Sequence, residues 1–370
     1  MPDFTHLVAH CARLHGEWES LVAPKKFSRA IALALITVAA LAAACAPAPD
    51  GGGGGFGYVE IPPNTTDPAL SGDLLYPNFA IPAAGTPRGR LVVLFNGTGA
   101  GPSALAAMGN KLAADGYHVI GLRYASGVGT QSACSDSAVT TWLDCHREFR
   151  SEVVFGAGVG DPDGYSANHP AVSVNAAGSV VNRLIKLVDH LTVRFPADGW
   201  TQYQARPAGD CVESPQYGGC ELDWTKVVAM GHSQGAGVAL YLGKQFPLAR
   251  VGMLSGAYDA FSLGSSTYTV APWVTEGGFE TPISSIATFS HLSDYGLGIQ
   301  RAVADGLGLP GPEVNVTTTA RPYLGASRIV TNVTPSCLLD SNGAHNSTAT
   351  DGCSPPGVHS NAWRYLAGGA

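Results

Sequence analysis

The sequence predicts an α/β fold: a doubly wound, mostly parallel sheet with helices on both faces. Short, continuous apolar runs, of which RLVVLF at residues 90–95 is the clearest, are typical of strands that are buried on both sides. Helical patterns alternate with these runs, and such alternation produces parallel strands joined by right-handed crossovers. The length of 370 residues and the 47 glycines fit one large, loop-rich domain.

The individual elements follow from these patterns and from the Gly and Pro residues between them. Strands are predicted at residues 58–61, 73–76, 90–95, 118–124, 226–230, 251–254, 286–289 and 328–333. Helices are predicted at residues 103–115 and 171–194, directly after residue 233, and at residues 362–366. The stretches 125–172 and 197–223 exceed ordinary connections, and loops of that length often form lids or binding walls.

The first 57 residues predict targeting signals and a linker. The apolar run 31–44 follows Lys25, Lys26 and Arg29, and it is shorter than the roughly 20 residues that span a bilayer. Residues 1–45 are therefore expected to be a targeting region with a signal peptide, in which Val22 is the true start. Residues 46–57 form a Gly-rich linker. Cys45 resembles the acylated cysteine of bacterial lipoproteins, so lipid tethering and simple secretion both stay open.

The net charge and the cysteines narrow the functional class and the cellular location of the protein. A net charge of −7 with 13% charged residues excludes a nucleic-acid-binding surface as the main feature. Six cysteines outside the targeting region form three sequence-local couples, 134/145, 211/220 and 337/353. Fifteen pairings are possible in principle, and adjacency favours this one. Such disulfides predict an exported protein in the extracellular space or cell envelope.

Residues 227–240, VVAMGHSQGAGVAL, carry the main chemical signal. A β-branched strand runs into Gly231-His232-Ser233-Gln234-Gly235 and out into a helix rich in small residues. A serine on such a sharp turn projects its hydroxyl above the sheet, and glycines on both sides avoid clashes of the reversing chain. The N-terminus of the next helix favours developing negative charge.

This turn resembles the nucleophile elbow of the α/β-hydrolase superfamily, in its branch of secreted bacterial serine esterases and lipases. The similarity covers about residues 58–367 and includes GTGA at residues 97–100 and AHNST at residues 344–348. The resemblance implies an α/β-hydrolase-type sheet with disulfide-containing loop insertions and a catalytic domain at residues 58–370. It also implies a serine hydrolase that cleaves carboxylic esters through an acyl-enzyme on Ser233.

In this superfamily an acid and then a histidine follow the serine along the chain. Asp294, just after the 286–289 strand, is the expected acid, and Asp259 is the alternative. His345, in a Gly-containing loop inside the 337/353 couple, is the expected base, and His359 is the alternative. The side chain of His232 is expected to point away from the site and to pack against the sheet.

Acyl transfer also requires two N–H donors for the oxyanion. The backbone N–H of Gln234 is the expected first donor. The loop after the 90–95 strand should supply the second, from Thr98 or, alternatively, Gly99. Many lipases have His-Gly in that loop, whereas this chain has Asn96-Gly97.

The resemblance requires no cofactor and no metal. The expected partner is a small-molecule or polymeric ester, and we expect a monomer whose membrane contact, if any, is a tether through Cys45. Aromatic candidates for the pocket wall are Trp142, Phe155, Tyr258, Trp273 and Phe279. Two alternatives use the same residues differently: a catalytically inactive α/β-hydrolase-fold envelope or binding protein, and an acyltransferase with the same triad.

Overall fold

A long sheet organises the part of the chain that the computed structural model describes, namely residues 57–264, 266–355 and 357–368. Its strands, together with a separate two-stranded hairpin, are as follows in chain order: β1 (Val59–Ile61), β2 (Asn78–Ile81), β3 (Leu91–Phe95), β4 (His118–Gly121), β5 (Val227–His232), β6 (Arg250–Leu254), β7 (Ala260–Ser262), β8 (Tyr268–Val270), β9 (Ile286–His291), β10 (Val314–Asn315) and β11 (Arg328–Thr331). All except β7 and β8 belong to the nine-stranded sheet.

The sheet is mostly parallel, which confirms the predicted fold class at this level. Its strand order is β1-β2-β4-β3-β5-β6-β9-β11-β10. Only β2 runs antiparallel to its neighbours, β1 and β4. The carboxyl ends of the parallel strands therefore meet at one edge, and the loops after β3, β5, β6, β9 and β11 gather there.

The strand order reverses direction between β3 and β5. From β3 the chain continues to β4 on one side, and it then returns to β5 on the other side of β3. In open α/β sheets such a reversal leaves a crevice beyond the carboxyl ends of the two strands, and ligands bind there. Ser233 directly follows β5, and Asn96 directly follows β3. The predicted nucleophile and the predicted oxyanion loop thus lie at this reversal of the strand order.

Helices cover both faces of the sheet. They are α1 (Ala106–Ala114), α2 (Thr130–Ala133), α3 (Cys145–Phe155), α4 (Val180–Arg194), α5 (Gln234–Gln245), α6 (Pro272–Thr275), α7 (Leu297–Gly306), α8 (Gly343–Asn346) and α9 (Val358–Leu366). Residues of α3, α4 and α5 pack into one buried cluster, and residues of α1 and α9 pack into a second. Alternate residues of β3 enter the two clusters, which explains why its sequence is apolar throughout.

Three predicted elements differ from the structure. Residues 73–76 form no strand, because Asp73 has φ 54° and the Leu75 side chain is 79% exposed; the strand lies at β2 instead. Helix α4 begins at Val180 rather than near residue 171, since Ser179 is extended and caps it. The long stretch 125–172 contains α3, an amphipathic helix that is not among the helices predicted from the sequence. Part of this stretch therefore belongs to the core rather than to a loop.

The three predicted disulfides are confirmed. Cys134 pairs with Cys145, Cys211 with Cys220 and Cys337 with Cys353. Structural disulfides persist in oxidising compartments, so these bonds indicate an exported environment. Within the described residues, none of the helices is both long and apolar enough to cross a membrane. The predicted signal peptide, Cys45 and the predicted Gly-rich linker up to residue 56 lie outside the described residues.

The cap of α4 gives a test of the fold. The Ser179 hydroxyl accepts the Asn182 backbone N–H at 3.2 Å and donates to the Ala176 carbonyl at 2.7 Å. Ser179→Ala should lower the free energy of unfolding by about 1 kcal/mol, because an N–H at the helix start loses its partner. Ser179→Asp restores an acceptor and should recover most of that loss. Urea unfolding followed by circular dichroism measures both, and equal stability of the alanine variant and wild type would contradict the capping role.

Candidate active site

Ser233 occupies the sharp turn that joins β5 to α5. Its backbone has φ 55° and ψ −118°, a conformation that is rare for residues other than glycine. The Ser233 N–H donates to the Leu254 carbonyl at 2.9 Å, which fixes the turn against β6. The flanking glycines are sterically required, because a Cβ on Gly231 would lie 2.0 Å from the Gly235 carbonyl oxygen, and one on Gly235 would lie 2.2 Å from that of Phe95.

Asp294 and His345 form a buried hydrogen-bonded pair at the same edge of the sheet. His345 Nδ1 lies 3.0 Å from Oδ2 and 3.2 Å from Oδ1 of Asp294. The Asp294 carboxylate also accepts the Gly296 backbone N–H and the Gln300 side-chain amide, each at 2.8 Å. Burial alone would raise the pKa of Asp294, but the bonds and charge of His345, with those of Gln300 and Gly296, hold that pKa below its usual value. The carboxylate therefore stays ionised beside the imidazole.

Ser233 and His345 line one cavity of about 420 Å³. Asp294 approaches Nδ1 of the imidazole, so the second ring nitrogen, Nε2, is not used by the acid. Among the described residues, no hydrogen bond joins the Ser233 hydroxyl to the His345 ring. Such bonds are often long in ligand-free sites and shorten when substrate binds.

The alternative acid, the alternative base and a further histidine, His291, are occupied elsewhere. Both Asp259 oxygens accept from Arg150, at 2.9 and 2.8 Å, in a pair whose side chains are fully buried. His359 contacts the Ser347 carbonyl at 2.7 Å and the Thr331 hydroxyl at 3.2 Å. The ring nitrogens of His291 are likewise held by the Val333 carbonyl and the Ser293 N–H, both at 3.0 Å. These three side chains are thus structural.

The position of His232 corrects the sequence-based expectation. Its side chain lines the cavity instead of pointing away, and its Nε2 lies 3.0 Å from the His345 carbonyl oxygen. The two imidazole rings lie 4.8 Å apart. Burial, together with the nearby His345, lowers the pKa of His232 to about 3, so His232 is neutral and can donate from Nε2. No local sequence pattern indicates this bond, because it joins residues 113 positions apart.

The loop after β3 lies directly against the Ser233 turn. A Cβ on Gly97 would be 3.2 Å from Ser233 Cβ and 3.0 Å from His232 Nδ1, so any larger residue would have to push these neighbours back. The Gly99 N–H donates to the Ser126 carbonyl at 2.8 Å, which removes Gly99 as a second donor. Among the described residues, neither the Thr98 nor the Gln234 backbone N–H has a hydrogen-bond partner. The two groups expected to bind an oxyanion are therefore both available.

Of the five aromatic side chains considered for the pocket wall, only Tyr258 lines the cavity. Its hydroxyl lies 3.2 Å from His345 Nδ1 and accepts the Gln300 side-chain amide at 3.1 Å. Burial, and then the charge of Asp294, raises the pKa of Tyr258, so the hydroxyl keeps its proton. The expectation was wrong for the other four, which pack in or against the core: Trp142, Phe155, Trp273 and Phe279.

The two long stretches have different relations to the site. Residues 129–132, at the start of α2, form part of the cavity wall. The Cys134–Cys145 disulfide ties this wall to α3, and α3 carries Arg150. Arg150 donates to the Gln234 carbonyl at 3.0 Å and to the Thr130 hydroxyl at 3.3 Å, so one guanidinium joins the Ser233 turn to the wall. The second stretch lines a separate groove that contains Trp224.

Two groups of potential metal ligands occur within the described residues. They are Cys134, Cys145 and His169, and Cys337, Asp340 and Cys353. In both groups the cysteines are disulfide-bonded to each other. Cysteine binds a metal as the free thiolate. The disulfide-bonded cysteines of these two groups therefore offer no thiolate ligand.

The buried Arg150–Asp259 pair predicts a large effect on stability. Asp259→Asn should lower the free energy of unfolding by about 3 kcal/mol or more, because it leaves an uncompensated buried charge on Arg150. Asp305→Asn is the matched control, since Asp305 pairs with Arg328 but its side chain is 67% exposed, and it should cost less than about 1 kcal/mol. Denaturant unfolding measures both. Equal losses would contradict the bracing role of the buried pair.

The buried histidines predict a loss of stability in acid. Burial lowers the pKa of His359 to about 4, whereas an exposed imidazole titrates near pH 6.5. Between these values the unfolded chain binds the extra proton and the folded chain does not, so stability falls as the pH drops from about 6.5 to 4. His359→Gln should flatten part of this slope. Thermal unfolding across that range measures it, and an unchanged slope in the variant would contradict the assignment.

No protein-family model matches the chain, and no curated protein matches it. The Ser233 turn, the Asp294–His345 pair and the shared cavity are consequently the observations on which a function can be based.

Proposed function

We propose that this protein is a serine hydrolase of the α/β-hydrolase type, which cleaves carboxylic esters through an acyl-enzyme on Ser233. The observation that carries the proposal is the Asp294–His345 pair, buried beside the same cavity that Ser233 lines. A serine on a strand-to-helix turn, an imidazole and an orienting carboxylate form a recurring arrangement for acyl transfer, and here they follow in the chain order of α/β-hydrolases.

In the first step the Ser233 oxygen attacks the ester carbonyl carbon, while His345 Nε2 takes the hydroxyl proton. Asp294 holds Nδ1–H, which fixes the tautomer in which Nε2 is the base, and its negative charge stabilises the imidazolium. The low pKa of Asp294 keeps this charge in place. The bond between His232 Nε2 and the His345 carbonyl holds the backbone that carries the base.

The tetrahedral intermediate carries its negative charge on the former carbonyl oxygen. The backbone N–H groups of Gln234 and Thr98 are the proposed donors to this oxyanion. Arg150 donates to the Gln234 carbonyl, which belongs to the peptide bond that follows this donor residue. Each donor of this kind typically lowers the activation free energy by about 3 kcal/mol.

Collapse of the intermediate breaks the bond to the alcohol, which leaves with the proton from His345 Nε2. The acyl group then remains on Ser233. Water next attacks the acyl carbon and gives its proton to His345, and the second collapse releases the carboxylic acid and returns the proton to Ser233. Neither step requires an external electron donor or acceptor. Hydrolysis of this kind fits an exported protein that acts on small-molecule or polymeric esters.

Steady-state hydrolysis of 4-nitrophenyl acetate by the disulfide-bonded protein tests the assignment. Ser233→Ala and His345→Ala should each lower kcat by about 10³-fold or more, and Asp294→Asn by a similar order, because the three groups act as a unit. Thermal unfolding of each variant, measured in parallel, separates a loss of catalysis from a loss of fold, because Asp294 and His345 are both buried.

The controls are the alternative residues. His359→Gln and His291→Gln should change kcat less than about tenfold, because their ring nitrogens hold structural bonds and neither ring lines the cavity that Ser233 lines. Full activity of His345→Ala together with loss in His359→Gln would replace the proposed base. Absence of hydrolysis by correctly bonded wild type would favour the inactive binding protein instead.

A further inference from the structure

The chemistry of the cavity walls points to a substrate class, an inference that rests on the proposed function. The described residues that line the cavity include no Asp, Glu, Lys or Arg side chain. Most of the lining is neutral and polar, from Asn, Gln, Ser, Thr and Tyr. A neutral wall offers no counter-ion, so it disfavours a charged alcohol or a charged acyl group close to the ester. The substrate is therefore neutral around the scissile bond.

The apolar part of the lining is small. It consists of Ala100, Ala104 and Leu105, next to Thr98 on the loop after β3. Ala100 and Ala104 are half-buried, and the Leu105 side chain is only 1% exposed. Burial of a methylene contributes about 0.8 kcal/mol only where apolar surface receives it. A short acyl group suits this small patch, because a longer chain would extend over the polar side chains of the lining.

Amide groups of the lining lack partners in the protein. Among the described residues, the side chains of Gln131 and Asn342 make no hydrogen bond and are exposed. Two buried members of the lining are also incomplete: Gln234 Nε2 and Asn96 Oδ1 have no partner. Buried polar groups are nearly always paired, so the two buried unpaired atoms, Gln234 Nε2 and Asn96 Oδ1, favour a polar ligand in this cavity. An alcohol with several further hydroxyl groups offers both donors and acceptors to these side chains.

An exposed aromatic ring lies on the same cavity. Tyr295 follows the acid in sequence, and it is 69% exposed, although large aromatic side chains are usually buried. Its ring centroid lies 5.0 Å from that of His345. A flat ring beside the catalytic imidazole provides apolar surface with a polar edge. The apolar face of a sugar ring has the matching shape, since its hydroxyls point outward around the rim.

We propose that the alcohol part of the substrate is a neutral sugar, and that the enzyme removes short acyl groups from it. Tyr295 contacts the face of the sugar ring, the amides of Gln131 and Asn342 bind its hydroxyls, and the patch at Leu105 receives the acyl methyl group. Sites that bind hydroxyls by hydrogen bonds reject analogues without them, because the polar groups of the site then stay unpaired.

The test compares two acetyl esters that share a six-membered ring. Methyl 6-O-acetyl-glucopyranoside and cyclohexylmethyl acetate both carry a primary acetyl ester on a six-membered ring, and only the first has hydroxyls. The kcat/KM for the sugar ester should be at least about tenfold higher. The 6-O-octanoyl sugar should be hydrolysed more slowly than the 6-O-acetyl sugar. Activity on 4-nitrophenyl acetate is measured in parallel.

Variants separate the sugar contact from the chemistry. Tyr295→Ala should raise KM for the sugar ester several-fold more than KM for cyclohexylmethyl acetate, and Tyr295→Phe should restore most of the difference. Val193→Ala, at an exposed position on α4, is the control and should alter neither ratio. Equal rates on the two ring esters, or faster hydrolysis of the octanoyl sugar, would overturn the sugar assignment while 4-nitrophenyl acetate is still cleaved. Failure to cleave any ester would overturn the proposed function itself.

Discussion

The contact of three backbone segments at the carboxyl ends of β3 and β5 is the constraint on which the rest of the site depends. Gly231 faces the Gly235 carbonyl, and Gly235 faces the Phe95 carbonyl, with no room for a Cβ at either position. This contact forces Ser233 into its strained conformation and brings the loop at Gly97 against it. The topological switch of the sheet supplies the crevice, and the glycines let the chain fill it with backbone N–H groups.

A second layer keeps this contact rigid. Arg150, fully buried, joins the Gln234 carbonyl, the Asp259 carboxylate and the Thr130 hydroxyl, which belong to three separate segments of the chain. A buried ion pair of this kind gives little net stability but loses much when one partner is removed. In the proposed mechanism its effect is positional, because it holds the carbonyl of Gln234, the residue whose N–H is one of the proposed oxyanion donors.

The sequence was sufficient where local pattern determines the outcome. The apolar runs predicted the sheet, the couples of cysteines predicted the disulfides, and the spacing around Ser233 predicted the turn. Sequence alone does not distinguish Asp294 from Asp259 as the acid, because both follow strands. In the structure, the buried guanidinium of Arg150 binds Asp259. The bond from His232 to the His345 backbone and the cavity position of Tyr295 depend on tertiary contacts that leave no periodic signal.

The central claim is that the Ser233 oxygen becomes covalently acylated with His345 as its base. A fluorophosphonate ester reacts only with a serine that is activated in this way, so mass spectrometry of the intact labelled protein and of its peptides tests the claim most directly. We expect one adduct per chain, located on Ser233. Labelling should be strongly slowed in His345→Ala but not in His359→Gln. An unlabelled wild-type protein with its three disulfides intact, or an adduct on a different serine, would contradict the claim.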